Sequence, residues 1–327
     1  MNSILSVTIL LCGAADAEEA AVSREKRERF ESILNSYELS RRQLQSGIYR
    51  AVGDKRDGTA QNERFPAYRG PVTIYSAFDY EARMLRFDRT EPGLWDNGPD
   101  KPLTGITLQL NFARTPKYSI YASAGWIKGV SGECLIRQPD VRPSAELAPI
   151  NVRILGAAPW DLVREAGPLE ATVDRLRHWR LADVTERQEG IVQVSLVPPK
   201  PADPAAPPPA EEFRWEVWFN TRQDCSPTRS ELLMRDAAGR WQPQSVSTAS
   251  WTQMEKVWVP ETFTLHEQYT GQERLQTYDL RFAWESVNRP VPAELMTVEG
   301  IEPLLEDGTM ILDERSRPTR VVRRVRR

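Results

Sequence analysis

The chain has 327 residues, 40% of them apolar, which is enough to build a core for one large domain or two ordinary ones and excludes global disorder. Its formal net charge of −3 is small for that length and gives no overall electrostatic reason to bind nucleic acid or an acidic substrate.

Residues 4–12 form a short apolar stretch, followed by Gly13-Ala14-Ala15-Asp16-Ala17 and then Glu18-Glu19. Small residues Ala15 and Ala17 stand where a signal peptidase wants them, so residues 1–17 read as a signal peptide cleaved after Ala17, although Met1-Asn2-Ser3 supplies no basic residue. The run is far shorter than the ~20 apolar residues of a membrane span. Leu11 before Cys12 argues against lipidation, because a small residue is wanted there. The expected location is therefore the periplasm or cell envelope. Cleavage leaves Cys134 and Cys225; export permits them to pair, but without clustered spacing they read as two separate thiols.

Between residues 23 and 45 the apolar side chains Phe30, Ile33, Leu34, Tyr37 and Leu44 recur at helical spacing among many Arg and Glu, which predicts an amphipathic helix closed by Gly47. Beyond it the period becomes two. Residues 106–112 alternate without error, placing Ile106, Leu108, Leu110 and Phe112 on one face. Comparable stretches at 72–78, 84–88, 118–124, 190–197, 213–219, 231–235, 257–259, 263–269 and 276–284 predict strands, and one-sided alternation is the habit of antiparallel sheets. Asp236-Ala237-Ala238-Gly239 predicts a hairpin turn with Gly239 left-handed. A second helical region, 159–179, is split by Gly167-Pro168, and Leu169, Val173 and Leu176 stripe its second piece. The proline-rich segment at 198–212 supplies few ladder donors and is either an interdomain linker or a surface loop within one sheet, the loop being favoured by the like alternation of the strands on both sides. Residues 306–327 read as a solvated tail, with seven arginines from Arg315 on. Its functional alternative is adhesion to an anionic membrane or envelope polymer, each Arg adding ~1 kcal/mol.

Chemistry is not legible. His178 and His266 have no metal-ligand spacing; the first reads as a helix cap and the second as a surface residue. No nucleophile elbow, dinucleotide loop or phosphate loop occurs. The carboxylates around Asp79 and Asp96 read as a strand end and as turn chemistry. The expectation is a non-enzyme with no catalytic residue, metal or cofactor. What stands out is large rings on strands: Phe213, Trp215, Val217 and Phe219 on one face, and Tyr278, Leu280, Phe282 and Trp284 on another. They fill a core, or they line an apolar pocket in a curved sheet. On the second reading the ligand-binding candidates are Ile106, Leu108, Leu110, Trp215, Val217, Phe282 and Trp284.

The leading helix, Gly47-Ile48-Tyr49-Arg50-Ala51-Val52-Gly53, residues 72–80, Leu85-Arg86-Phe87-Asp88, Val257-Trp258-Val259-Pro260 and residues 282–288 together resemble the bacterial lipoprotein-carrier superfamily, the LolA/LolB-like fold. The resemblance implies a mainly β, α+β domain over 18–305: a curved antiparallel sheet forming an incomplete barrel, with the N-terminal helix and the second helical segment as lids. It also implies an apolar cavity for a lipid or lipoprotein acyl chain. The competing expectation is a filled core and an envelope protein that contacts a protein or anionic polymer through its surface.

Overall fold

The computed structural model describes residues 22–58, 68–95, 104–124, 132–139, 150–157, 169–199, 212–236, 238–269 and 274–326. The signal-peptide segment, the first piece of the second helical region, the Asn97-Gly98-Pro99 turn and the centre of the proline-rich segment lie outside them.

Helix α1 (Arg24–Arg42) starts where the Ser23 hydroxyl accepts from the Lys26 amide at 3.3 Å, and its arginine-rich last turn suits the helix dipole. Phe30, Ile33, Leu34 and Tyr37 are buried along its single stripe, each contributing about 1.5–3 kcal/mol by leaving water. Gly47 does not close this helix. It lies in the first strand, where a Cβ would stand 2.8 Å from the Trp284 ring, so the glycine is required by close packing rather than by a helix end.

Fifteen strands follow, in one sheet among the described residues. β1 (Ser46–Gly58), β2 (Tyr68–Asp79), β3 (Met84–Trp95), β4 (Thr104–Arg114), β5 (Ser119–Ala124) and β6 (Glu133–Arg137) form one antiparallel meander. After helix α2 (Leu169–His178) come β7 (Arg180–Gln188), β8 (Ile191–Val197), β9 (Phe213–Asn220), β10 (Ser226–Arg235), β11 (Trp241–Met254), β12 (Val257–Tyr269) and β13 (Arg274–Val287), a second meander. β13 pairs with β1, Ala51 opposite Phe282 and Lys55 opposite Tyr278, and this seam joins the meanders into one large curved sheet that does not close into a barrel. The two stretches at 257–259 and 263–269 belong to one strand, β12. The hairpin turn is as expected: Gly239 has φ +78° and its amide donates to Asp236 O at 2.9 Å.

Alternation gives the sheet two faces, each with its own core. On the inner face, Tyr49, Ala51, Ile74, Phe78 and Phe87 join Trp215, Val217, Phe219, Phe263 and Leu280 beneath the α1 stripe and Leu169, Val173 and Leu176 of α2. Tyr37 meets Phe219 at 5.8 Å between ring centroids.

The outer face of β2, β4, β5 and β6 carries a second cluster, Ala77, Ala113, Ile120, Ala122, Cys134 and Ile136, covered by Val291, Met296, Ile301, Leu305, Ile311 and Val325 of the C-terminal segment. Arg86 fastens that segment, donating to Leu295 O at 3.2 Å and Gly300 O at 3.1 Å while pairing with Asp88 at 2.7 Å. The expected frayed tail is therefore corrected. β14 (Met310–Asp313) runs parallel to β6, and β15 (Arg320–Arg324) closes onto β14 as the edge strand. Apolar Ile311 and Val325 draw the segment down, and Arg323 is held by Glu299 and Glu302. Cys134 and Cys225 are both buried and unpaired, as two separate thiols.

Candidate functional site

All seven candidate ligand-binding residues point to the inner face, but the structure divides them. Trp215 and Val217 on β9 are packed solid beneath the helices: the Trp215 ring meets Trp179 edge-on at 5.4 Å, and its Nε1–H donates to Ser230 Oγ at 2.9 Å. They are core, which corrects their assignment to a cavity lining. Leu110 on β4 is buried as well. Ile106 and Leu108 on β4, with Phe282 and Trp284 on β13, remain half-buried and face inward. Tyr80, Leu85 and Tyr121 add to this partly open apolar lining.

Phe282 and Trp284 belong to a continuous slab of rings. Tyr49 lies 5.0 Å from Trp284 and 5.5 Å from Phe282, Phe78 lies 6.2 Å from Trp284, and Tyr80 lies 4.8 Å from Phe78. The register explains the cluster, because Tyr49 stands directly opposite Trp284 and Phe78 opposite Gly47, whose missing side chain admits the indole. The indole N–H is anchored on Pro260 O at 2.9 Å.

At the Tyr80 end the slab meets the segment 150–157. This stretch is apolar except for Asn151 and Arg153, and Ile150, Val152, Ile154, Leu155 and Ala157 are buried in the inner core. Asn151 Oδ1 shapes the turn, accepting from the Arg153 amide at 3.0 Å and from the Tyr80 hydroxyl at 3.2 Å. Burial pushes the Tyr80 hydroxyl's pKa up, against the pull of Arg153. The Arg153 guanidinium sits 3.5 Å from the centre of the Tyr80 ring, is only 8% exposed, and meets no carboxylate among the described residues. Its Nε is buried with no acceptor. A buried uncompensated guanidinium costs several kcal/mol, more than the ~2 kcal/mol that a desolvated cation–π contact returns.

Arg41 of α1 is the second such cation. It is 1% exposed and stacks 4.3 Å from the Trp251 ring, but it donates to Trp258 O, Ser40 Oγ and Ser226 Oγ at 3.1, 3.0 and 2.9 Å. Burial pulls its pKa down to about 10, with Tyr37 and Asp224 opposing. Tyr37 lies in the field of both arginines; burial pushes its hydroxyl up, and each arginine pulls it back.

Further along the same face, toward the β1–β2 loop, sits a charged network that the sequence analysis missed. Glu91 accepts from Lys55 Nζ at 3.1 Å, from Arg89 Nε at 2.6 Å and from the Tyr278 hydroxyl at 3.3 Å, and Arg89 also donates to that hydroxyl at 2.9 Å. Asp57 accepts from Tyr68 at 2.9 Å and from Gln276 at 3.0 Å. Burial alone raises the Glu91 pKa, but Arg89 and Lys55 outweigh it and hold the carboxyl below its ordinary value. This network is neutralised within itself, so it orders the end of the half-barrel without attracting a charged ligand. Among the described residues no three His, Cys, Asp or Glu side chains are grouped to hold a metal ion. His178 ends α2, and His266 is exposed on β12.

No protein-family model matches the chain, and no curated protein is a significant match. Its likenesses are to solved structures. A DUF1329 family protein from Desulfovibrio piger aligns with a TM-score of 0.42 and 10% identity over 83% of this chain and 98% of that one. Ail, the attachment invasion locus protein of Yersinia pestis, aligns with a TM-score of 0.18 and 6% identity over 74% and 98%. At these scores neither likeness carries an argument about what the chain does. No helix among the described residues is long and apolar enough to cross a membrane.

Proposed function

We propose that this chain is a non-catalytic, exported binding protein of the periplasm or cell envelope that holds an acyl chain or a comparable apolar group against the inner face of its half-barrel, in the manner of a lipoprotein carrier. One observation carries the reading: Ile106, Leu108, Phe282 and Trp284 stay half-open on the inner face of the sheet, whereas inward residues such as Trp215, Val217 and Phe263 are packed away. Apolar surface left partly wet on a concave face is what an apolar ligand covers. The buried carboxylates Asp88 and Glu91 are engaged by cations, which suits a scaffold better than acid–base chemistry.

The test is equilibrium binding of a fluorescent fatty-acid analogue to delipidated protein. Saturable binding is expected, weakened at least about tenfold by Phe282→Glu or Leu108→Glu and unaffected by Val52→Glu on the exposed outer face. No saturable binding, or equal loss from all three variants, would sink the proposal.

A second reading rests on β15, whose five residues are exposed at the sheet edge. Arg320 and Arg324 make no ion pair among the described residues, so this edge suits an anionic membrane or envelope polymer. Replacing both by Gln should release the protein from anionic vesicles in a salt-dependent manner; unchanged association would remove this reading.

A further inference from the structure

We propose that the ligand of the inner face ends in an anionic oxygen group, a carboxylate or a phosphate, and that this group pairs with Arg153. The inference rests on the apolar-ligand reading and names the polar end of that ligand.

Four arginines are buried among the described residues: Arg41, Arg86, Arg89 and Arg153. Arg86 and Arg89 each face a carboxylate two residues further along their own strand, Asp88 and Glu91. Arg41 lacks one, and its Nε too is buried without an acceptor, but its two Nη atoms donate to a carbonyl and two hydroxyls. Arg153 stands apart in having neither a carboxylate nor such a set of acceptors among the described residues: the Tyr80 side chain is its side-chain partner, and its buried Nε meets no acceptor. The planar guanidinium presents paired N–H donors that fit two oxygens of one carboxylate or phosphate.

Its position fits the same occupant. Arg153 stacks on half-buried Tyr80, Tyr80 touches Phe78, and Phe78 meets half-buried Trp284. The rings thus form an unbroken apolar path from the cation to the open lining, with an unmatched charge at one end and a wet aromatic surface at the other. Arg41 adds a second positive field across Tyr37 on the same side. Lys55 and Arg89, by contrast, are each in contact with the Glu91 carboxylate.

The experiment compares dodecanoate, dodecyl phosphate and uncharged dodecanol on the delipidated full chain by calorimetry. One or both anions should bind at least about tenfold tighter than dodecanol, and the tighter anion identifies which oxygen group the site takes. Arg153→Gln should remove that preference and leave dodecanol affinity unchanged, whereas Arg153→Lys should keep part of it. Equal affinity for all three ligands in the unmutated protein overturns the inference while leaving the apolar-ligand reading intact. So does a preference that survives Arg153→Gln. Failure of all three to bind overturns both. The unmutated comparison decides the matter even where a variant does not fold.

Discussion

Replacing Glu91 by Gln is the sharpest test of how the inner face is held together. The carboxylate is 7% exposed and compensates two buried cations, Lys55 at 3.1 Å and Arg89 at 2.6 Å, while also accepting from Tyr278. Removing its charge leaves both cations in a dry environment, a class of change that costs about 3–5 kcal/mol, a large share of the roughly 5–15 kcal/mol that keeps a domain folded. An exposed pair provides the scale: Glu285→Gln breaks a 2.8 Å contact to Arg50 in which both side chains are about half in water, and should cost under about 1 kcal/mol. The pH dependence has a fixed sign. Because the folded-state pKa of Glu91 lies below its ordinary value, its contribution is present at neutral pH and is lost as pH falls through that depressed value. Urea titrations at pH 7 and at pH 3 should therefore show a large difference between the native protein and Glu91→Gln that shrinks on acidification. Adding Lys55→Met to the variant should recover part of the loss by removing an orphaned cation. A loss below about 1 kcal/mol at pH 7 would refute the assignment of the network as buried and mutually compensating.

Asp88 has the opposite sign: burial pushes its carboxyl up to about 6 against the pull of Arg86. Its ionisation costs stability as pH rises from about 4 to 6, so Asp88→Asn should gain on the native protein over that window by at most about 3 kcal/mol in denaturant titrations. Trp215→Ala should cost about 3–5 kcal/mol as a buried core deletion, whereas half-exposed Phe282→Ala should cost clearly less; thermal melts of the two variants check the division between core and lining. Burial pushes the Cys134 thiol up to about 12 and raises Cys225 as well. Neither should react with a thiol reagent in the native state, and both should react in denaturant; fast native labelling of either would contradict its placement.

The strands that announced themselves were those with apolar side chains on one face and polar ones on the other. Residues 106–112 alternate because β4 turns Ile106, Leu108, Leu110 and Phe112 to the inner face and Thr107, Gln109 and Asn111 to the other. β11 was missed because its inward residues include Ser245 and Ser247, which carry no hydrophobic signal although they are buried. β14 and β15 were missed for a different reason: their partners, β6 and the outer apolar cluster, are distant in sequence, and the short apolar run Met310-Ile311-Leu312 is followed by an arginine-rich stretch. The inner-face phase of β1 was visible from Tyr49 and Ala51, and extending it by twos places Lys55 and Asp57 inward. The same rule puts Glu91 beside Arg89 on β3. Arg153 left a fainter trace, a single cation in the apolar run of residues 150–157. Conversely, the aromatic alternation of β9 looked like that of β13, and only the helices above β9 distinguish Trp215 as core from Trp284 as lining.

The most direct test of a ligand on the inner face is photo-crosslinking of the delipidated protein with a diazirine fatty acid, followed by peptide mapping. The account predicts label on β4 and β13 at Ile106, Leu108, Phe282 and Trp284, displaced by excess unlabelled fatty acid. Displaceable label confined to exposed outer-face residues such as Val52 or Leu275, or no displaceable label at all, would contradict it.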